Sequence, residues 1–170
     1  MRLFVALEPD SGFREALALL QERLRAAGVT GRYLPPESLH LTLAFIGMWP
    51  EDITALLPPV KTAFSIALSH MGVFPGARVL WAGVRPSDAL DGLARRVRQN
   101  LAKEAIPFDP KAFNPHITLI RKPVVPENVS LSAIQVPRAE MTVKDVCLYR
   151  SESGENGPVY TVIGRSAAEG

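Results

Sequence analysis

The chain of 170 residues has one cysteine, Cys147. A single thiol closes no internal disulfide, so packing alone must hold the fold, and a reducing compartment fits. The apolar stretch near the start, Leu3 to Leu7, is too short for a signal-peptide core. No apolar run approaches the roughly 18 residues that span a bilayer. These absences set the expectation of a cytoplasmic protein without a membrane partner. No P-loop and no G-x-G-x-x-G occurs, so nothing supports a nucleotide cofactor. An excess of one sign of charge is lacking too: the formal net charge is +2. That excludes binding to nucleic acid by bulk charge but permits a local basic cleft. Histidine is rare, with three in the chain. His40, His70 and His116 could in principle share a zinc ion, but no close ligand spacing such as H-E-x-x-H appears, and neither metal nor cofactor is expected.

Apolar residues at 47% and charged residues at 21% describe an ordinary globular chain. Its length suits one compact domain or two small lobes sharing a core. Fifteen prolines and twelve glycines are spread along it, which implies many short elements. Arg2 to Leu7 reads as a buried strand. Asp10 and Ser11 can cap a helix striped by Phe13, Leu17, Leu20 and Leu24, with Gly28 placed to end it. Strands are expected over Leu39 to Gly47, Phe64 to Ser69, Val79 to Val84 and His116 to Ile120. Two more are expected over Met141 to Ser151 and Val159 to Ile163, joined at Gly154-Glu155-Asn156-Gly157. A short helix over Glu51 to Leu57 is expected to stop at Pro58-Pro59. Leu90, Leu93, Val97 and Leu101 mark a second amphipathic helix. Strands in groups between two long helices favour an α+β fold with antiparallel sheet.

Two of the three histidines open the same tetrad, His40-Leu41-Thr42-Leu43 and His116-Ile117-Thr118-Leu119. Given a histidine, Thr two places on and Leu three places on is roughly a one-in-200 event at ordinary composition. The tetrads stand 76 positions apart, each after a long helix and a proline-marked break. This reads as an internal duplication, two similar lobes that each give one strand to a shared cleft. On a strand, residues i and i+2 share a face. Each tetrad therefore offers an imidazole and a hydroxyl on one side and apolar side chains on the other. Such a pair suits a phosphodiester. One neutral imidazole takes a proton from water and the other, protonated, supplies the leaving oxygen. Thr42 and Thr118 can donate to non-bridging phosphate oxygens.

A doubled His-x-Thr-x in a chain of this size resembles the 2H phosphoesterase superfamily. The flanking segments are similar to its RNA 2′,3′-cyclic phosphodiesterase branch, long called 2′-5′ RNA ligase: Arg2 to Ala6, Leu39 to Gly47, Phe74-Pro75, Val79-Leu80-Trp81, Phe113 to Arg121 and Gly157 to Tyr160. The resemblance implies a bilobal, pseudo-twofold α+β fold over residues 1–170, with an antiparallel sheet in each lobe, helices outside and the active site between. It implies His40 as acid and His116 as base, phosphate binding by Thr42 and Thr118, and closure of that site by Arg121. It implies opening of RNA 2′,3′-cyclic phosphate ends to 2′-phosphates, with the reverse reaction joining ends through a 2′-5′ bond.

Arg121 poses a geometric problem. Five residues after His116, a regular strand would turn it to the opposite face, so a bulge or the strand's end must re-aim it. Phe45, Trp49, Tyr33 and Tyr160 are candidates to stack on a terminal base, although packing is the commoner use of such rings. The helical arginines Arg95, Arg96 and Arg98 fit a solvated face or a track for an RNA backbone. Cys147 reads as a buried, inert thiol. The expected partner is an RNA with a cyclic phosphate end or a related cyclic nucleotide, met by a monomer. Two alternatives stay open, a phosphodiesterase for another cyclic or 2′-5′-linked nucleotide and an RNA-end binding protein without turnover.

Overall fold

The computed structural model describes residues 1–76 and 78–167. Among the described residues, two long helices and nine antiparallel strands make up the α+β fold. Helix α1 spans Ser11–Ala26, and Asp10 caps it by accepting the Phe13 N–H at 2.8 Å. Helix α2 spans Asp88–Lys103, and the Ser87 hydroxyl accepts the Leu90 N–H at 3.1 Å. Both expected apolar stripes are buried. Phe13, Leu17, Leu20 and Leu24 of α1 pack into one core with Leu90, Leu93, Val97 and Leu101 of α2. Gly28, past the end of α1, takes the positive φ that a side chain would resist.

The strands are β1 (Arg2–Leu7), β2 (Thr30–Tyr33), β3 (Leu41–Met48), β4 (Phe64–Phe74), β5 (Val79–Val84), β6 (His116–Val124), β7 (Glu140–Val143), β8 (Cys147–Gly154) and β9 (Gly157–Arg165). They form one path in the order β7-β4-β5-β6-β3-β1-β8-β9, with β2 added beside β6. Antiparallel sheet in each lobe was the expectation; the strands pair antiparallel throughout and lie on one continuous path. Its centre is the β3–β6 pair, joined at Leu41 and Ile117. Outward from that seam, each side reads alike: the strand after a long helix (β3 or β6), then the strand before it (β1 or β5). One face of the central strands supplies Leu3, Val5, Leu41, Leu80 and Ile117 to the core shared with the helices.

Three local expectations are corrected. The helix over Glu51 to Leu57 shrinks to a 3-10 turn at Thr54–Leu56. Asp52 accepts both the Thr54 N–H (2.8 Å) and its hydroxyl (2.6 Å), a local bond that competes with helix. The strand over Met141 to Ser151 is two strands whose partners lie far apart in the sheet: β7 pairs with β4 and β8 with β1. Alternation of apolar residues does not register a change of partner at Lys144-Asp145. Strand β2 was not foreseen, because Thr30-Gly31-Arg32-Tyr33 is mostly exposed and has no apolar alternation to read. The final hairpin closes at the expected turn, with Gly154 opposite Gly157.

Candidate active site

The two tetrads are neighbours in the sheet. Leu41 and Ile117, the apolar second residues, face each other at the seam, both fully buried. Carrying that antiparallel register one residue each way sets His40 across from Thr118 and Thr42 across from His116. The histidines then fall on the diagonal, where strand residues lie about 7–8 Å apart.

Both imidazoles are oriented by the same device. His40 Nδ1 donates to the Ser38 carbonyl at 2.7 Å, and His116 Nδ1 donates to the Asn114 carbonyl at 2.6 Å. A carbonyl only accepts, so each neutral ring carries its proton on Nδ1 and leaves Nε2 free for proton transfer. The ring environments differ. His40 sits among Phe4 (4.6 Å between centroids), Tyr160 (5.2 Å) and Tyr149 (5.6 Å). His116 meets the edge of Phe74 at 5.0 Å and lies 6.3 Å from Trp81. Burial in its aromatic nest lowers the His40 pKa to about 4, opposed by the bond to Ser38 and helped by the positive charges of Arg121 and His116.

Arg121 reaches the cleft through a β-bulge. In the β5–β6 ladder Leu80 faces Ile120 while Trp81 faces Thr118, so Leu119 is an extra residue. Leu119 and Ile120 are consecutive buried residues, and Arg121 returns to the side of His116 and Thr118. Strand β3 repeats this. Val5 faces Ala44 and Ala6 faces Thr42, leaving Leu43 as the extra residue, so Phe45 takes on β3 the position Arg121 takes on β6. The helices hold both bulges. Gln21 Nε2 of α1 donates to the Leu119 carbonyl (3.0 Å) and the Leu34 carbonyl (2.8 Å). Arg98 of α2 donates from Nε to the Leu43 carbonyl (3.2 Å) and from Nη1 to the Lys111 carbonyl (2.8 Å). Each helix thus clamps the tetrad strand of the other half and the loop before its own tetrad. Of the three helical arginines, Arg98 has a structural task that its distance from the apolar stripe did not suggest.

His40, Thr42, Thr118, Arg121, Phe45 and Tyr160 line one cavity of about 550 Å³. His116 opens onto an adjoining space of about 480 Å³ that shares Thr42 and Phe45. The Tyr160 hydroxyl accepts a long bond from Arg121 at 3.4 Å. Tyr33 is turned to other work: its hydroxyl donates to Val29 at 2.6 Å, and the Arg25 guanidinium covers its ring at 4.2 Å. Trp49 packs against the core. His70 stands outside the diagonal pair and meets the Trp81 ring edge at 5.2 Å. Among the described residues no three of His, Cys, Asp and Glu converge as metal ligands would. Cys147 is buried, and burial raises its thiol pKa to about 12. Two cavity arginines escaped the sequence reading, Arg2 and Arg32. Arg2 alternates with Phe4 on β1, a same-face signal that was readable; Arg32 lies on the unforeseen strand.

The chain resembles known proteins over its whole length. The family described as the 2′-5′ RNA ligase superfamily matches residues 13–155. A protein of Archaeoglobus fulgidus named RNA 2′,3′-cyclic phosphodiesterase is 34% identical, over 94% of this chain and 96% of that one. A Thermus thermophilus protein of the same name is also 34% identical, over 100% of this chain and 91% of its own. Among solved structures, E. coli LigT complexed with 3′-AMP is similar with a TM-score of 0.77 at 27% identity, covering 98% of this chain and 97% of that one. The chain belongs to the 2′-5′ RNA ligase superfamily.

Proposed function

We propose that the protein is an enzyme that opens RNA 2′,3′-cyclic phosphate ends to 2′-phosphates, using His40 and His116 as a metal-free acid–base pair. The observation that carries this reading is the matched orientation of two imidazoles. Each comes from a repeated tetrad, each is locked by a carbonyl at Nδ1, and the two lie diagonally across one pair of strands.

Water attacks phosphorus while one neutral Nε2 takes its proton. The bond from phosphorus to the 3′ oxygen breaks, and the other, protonated Nε2 supplies that oxygen. Thr42, Thr118 and Arg121 face the non-bridging oxygens, where charge grows in the transition state. A 5′-hydroxyl in place of water joins two ends through a 2′-5′ bond by the same displacement. Named relatives and the family match support cyclic phosphodiester chemistry. The two tetrads support a single-domain reading with two similar lobes. Phe45 and Tyr160 line the cavity, which supports reading them as contacts for a terminal base.

The role of each histidine has two readings. Family resemblance makes His40 the acid, which requires that the bound phosphate anion outweigh the burial and the charge of Arg121 and raise the His40 pKa. The pKa of about 4 in the free cleft favours the reverse, with His40 neutral and accepting water's proton. The deciding experiment uses a substrate whose leaving oxygen needs no proton, such as a nitrophenolate. It restores the rate of whichever alanine variant lacks the acid. Incubation with RNAs bearing cyclic phosphate ends, followed by product identification, tests the activity itself. A 3′-phosphate product, or none, overturns it.

A further inference from the structure

The main cavity carries more positive charge than one cyclic phosphate calls for. Arg2, Arg32 and Arg121 all line it. Among the described residues none of the three is in a salt bridge, and the carboxylate on the cavity wall, Glu152, is held by Arg150 at 2.6 Å. A 2′,3′-cyclic phosphodiester bears a single negative charge, and Arg121, beside Thr118 on the tetrad strand, is placed to meet it. Arg32 is then surplus, and its position is costly. It stands directly across from Arg121 in the β2–β6 ladder, where like charges repel. It is also held in a defined posture. Three atoms of its guanidinium lie 3.2–3.3 Å from where a Gly157 Cβ would be, so the planar group rests closely on the β8–β9 turn, and a side chain at 157 would push it away by a few tenths of an ångström. On the other flank the Arg2 guanidinium lies over the Phe45 ring, 5.5 Å from its centroid.

Two unpaired guanidiniums on adjacent strands of one cavity ask for two anionic groups, and an RNA end supplies the second one ribose away. We propose that Arg32 forms a second phosphate subsite that takes the 5′-side phosphate of the terminal nucleotide. This rests on the cyclic phosphodiesterase reading and narrows it: the substrate is a chain end, and a cyclic mononucleotide lacking a 5′-phosphate is a poor one. Arginine suits the task, since its planar fork binds phosphate oxygens in pairs and keeps its charge at any working pH.

The test compares three substrates: a nucleoside 2′,3′-cyclic phosphate with a free 5′-hydroxyl, the same compound with a 5′-phosphate, and a dinucleotide ending in the cyclic phosphate. The wild-type enzyme is expected to gain about tenfold in kcat/KM from the 5′-phosphate alone, and Arg32→Gln to lose most of that gain, as expected for one phosphate contact. Arg32→Lys should restore part of it. The salt dependence on the dinucleotide should weaken in Arg32→Gln by about 0.7 in log–log slope, the value of one single-strand phosphate contact. An equal loss on all three substrates, or a wild-type enzyme indifferent to the 5′-phosphate, overturns the subsite while the phosphodiesterase reading stands. A gain from the dinucleotide but not from the 5′-phosphate replaces it with a base contact. If the wild-type enzyme opens none of the three, both readings fail together.

Discussion

His40 shows how far burial can move one side chain's chemistry. Its pKa falls from 6.5 to about 4, with burial as the largest cause. In the unfolded chain the ring is wet and takes its proton near 6.5, whereas the folded protein resists until about pH 4. Folding therefore loses stability as pH drops through that window, by about 3 kcal/mol at its lower end. Denaturant unfolding from about pH 7 to 4 should show that loss in the wild type and a shallower fall in His40→Gln; parallel curves would mean that the ring is not held neutral. The same residue should matter more to rate than to fold. His40→Ala and His116→Ala are each expected to cost about 10²–10⁴ in kcat, the usual range for a missing acid or base, at unchanged far-UV circular dichroism. Thr118→Val should cost less, since a phosphate-facing hydroxyl is worth a few kcal/mol at most. Full activity in either histidine variant would sink the paired mechanism.

The β-bulge is the element that makes the site. Without Leu119 as an extra residue, Arg121 would point into the helix-side core, and without Leu43 so would Phe45. At the bulges the helices add side-chain donors: the Leu119 carbonyl accepts the Gln21 amide beside the Leu34 N–H, and the Leu43 carbonyl accepts Arg98 Nε. Gln21 is nearly buried, at 4% exposure, and its amide is a donor to the Leu34 carbonyl. Gln21→Leu strips that donor and should cost about 1–3 kcal/mol of stability. It should also raise KM more than it lowers kcat, because a loosened bulge mis-aims Arg121 and leaves both histidines in place. Arg98→Met should act likewise through the Leu43 carbonyl. Kinetics and urea unfolding on both variants check this; unaltered KM would show that the bulges hold themselves.

At the scale of the whole molecule, a repeated strand order and one shared core coexist. The strand order repeats outward from the seam, yet the apolar residues of both helices and of the central strands belong to one core. A shared core couples the halves, so they should unfold together. Circular dichroism, Trp fluorescence and loss of the 2′,3′-cyclic phosphodiesterase rate are expected to trace a single coincident transition in urea, as small domains usually do. Two separated transitions would show that each half is stable alone.

Much of this was legible in the residues themselves. Helix stripes, capping residues and alternating strands are local patterns, and the recurrence of His-x-Thr-Leu among three histidines needs no coordinates to be noticed. Even the misfit of Arg121 was legible, since a period of two fixes which face a side chain takes; the sequence offered a bulge or the strand's end to re-aim it, and the sheet has the bulge. What the sequence could not decide was partnership. Strand β2 shows no apolar alternation because it is mostly exposed. Met141 to Ser151 reads as one strand until its two pieces are seen pairing in distant parts of the sheet. Arg32 is an ordinary surface residue until β2 sets it opposite Arg121. The aromatic nest of Phe4, Tyr149 and Tyr160 gathers around His40 from three strands. Local sequence determined which way each side chain could face; only the folded sheet decided which faces met, because strand pairing joins residues far apart in the chain and desolvation depends on all the neighbours at once.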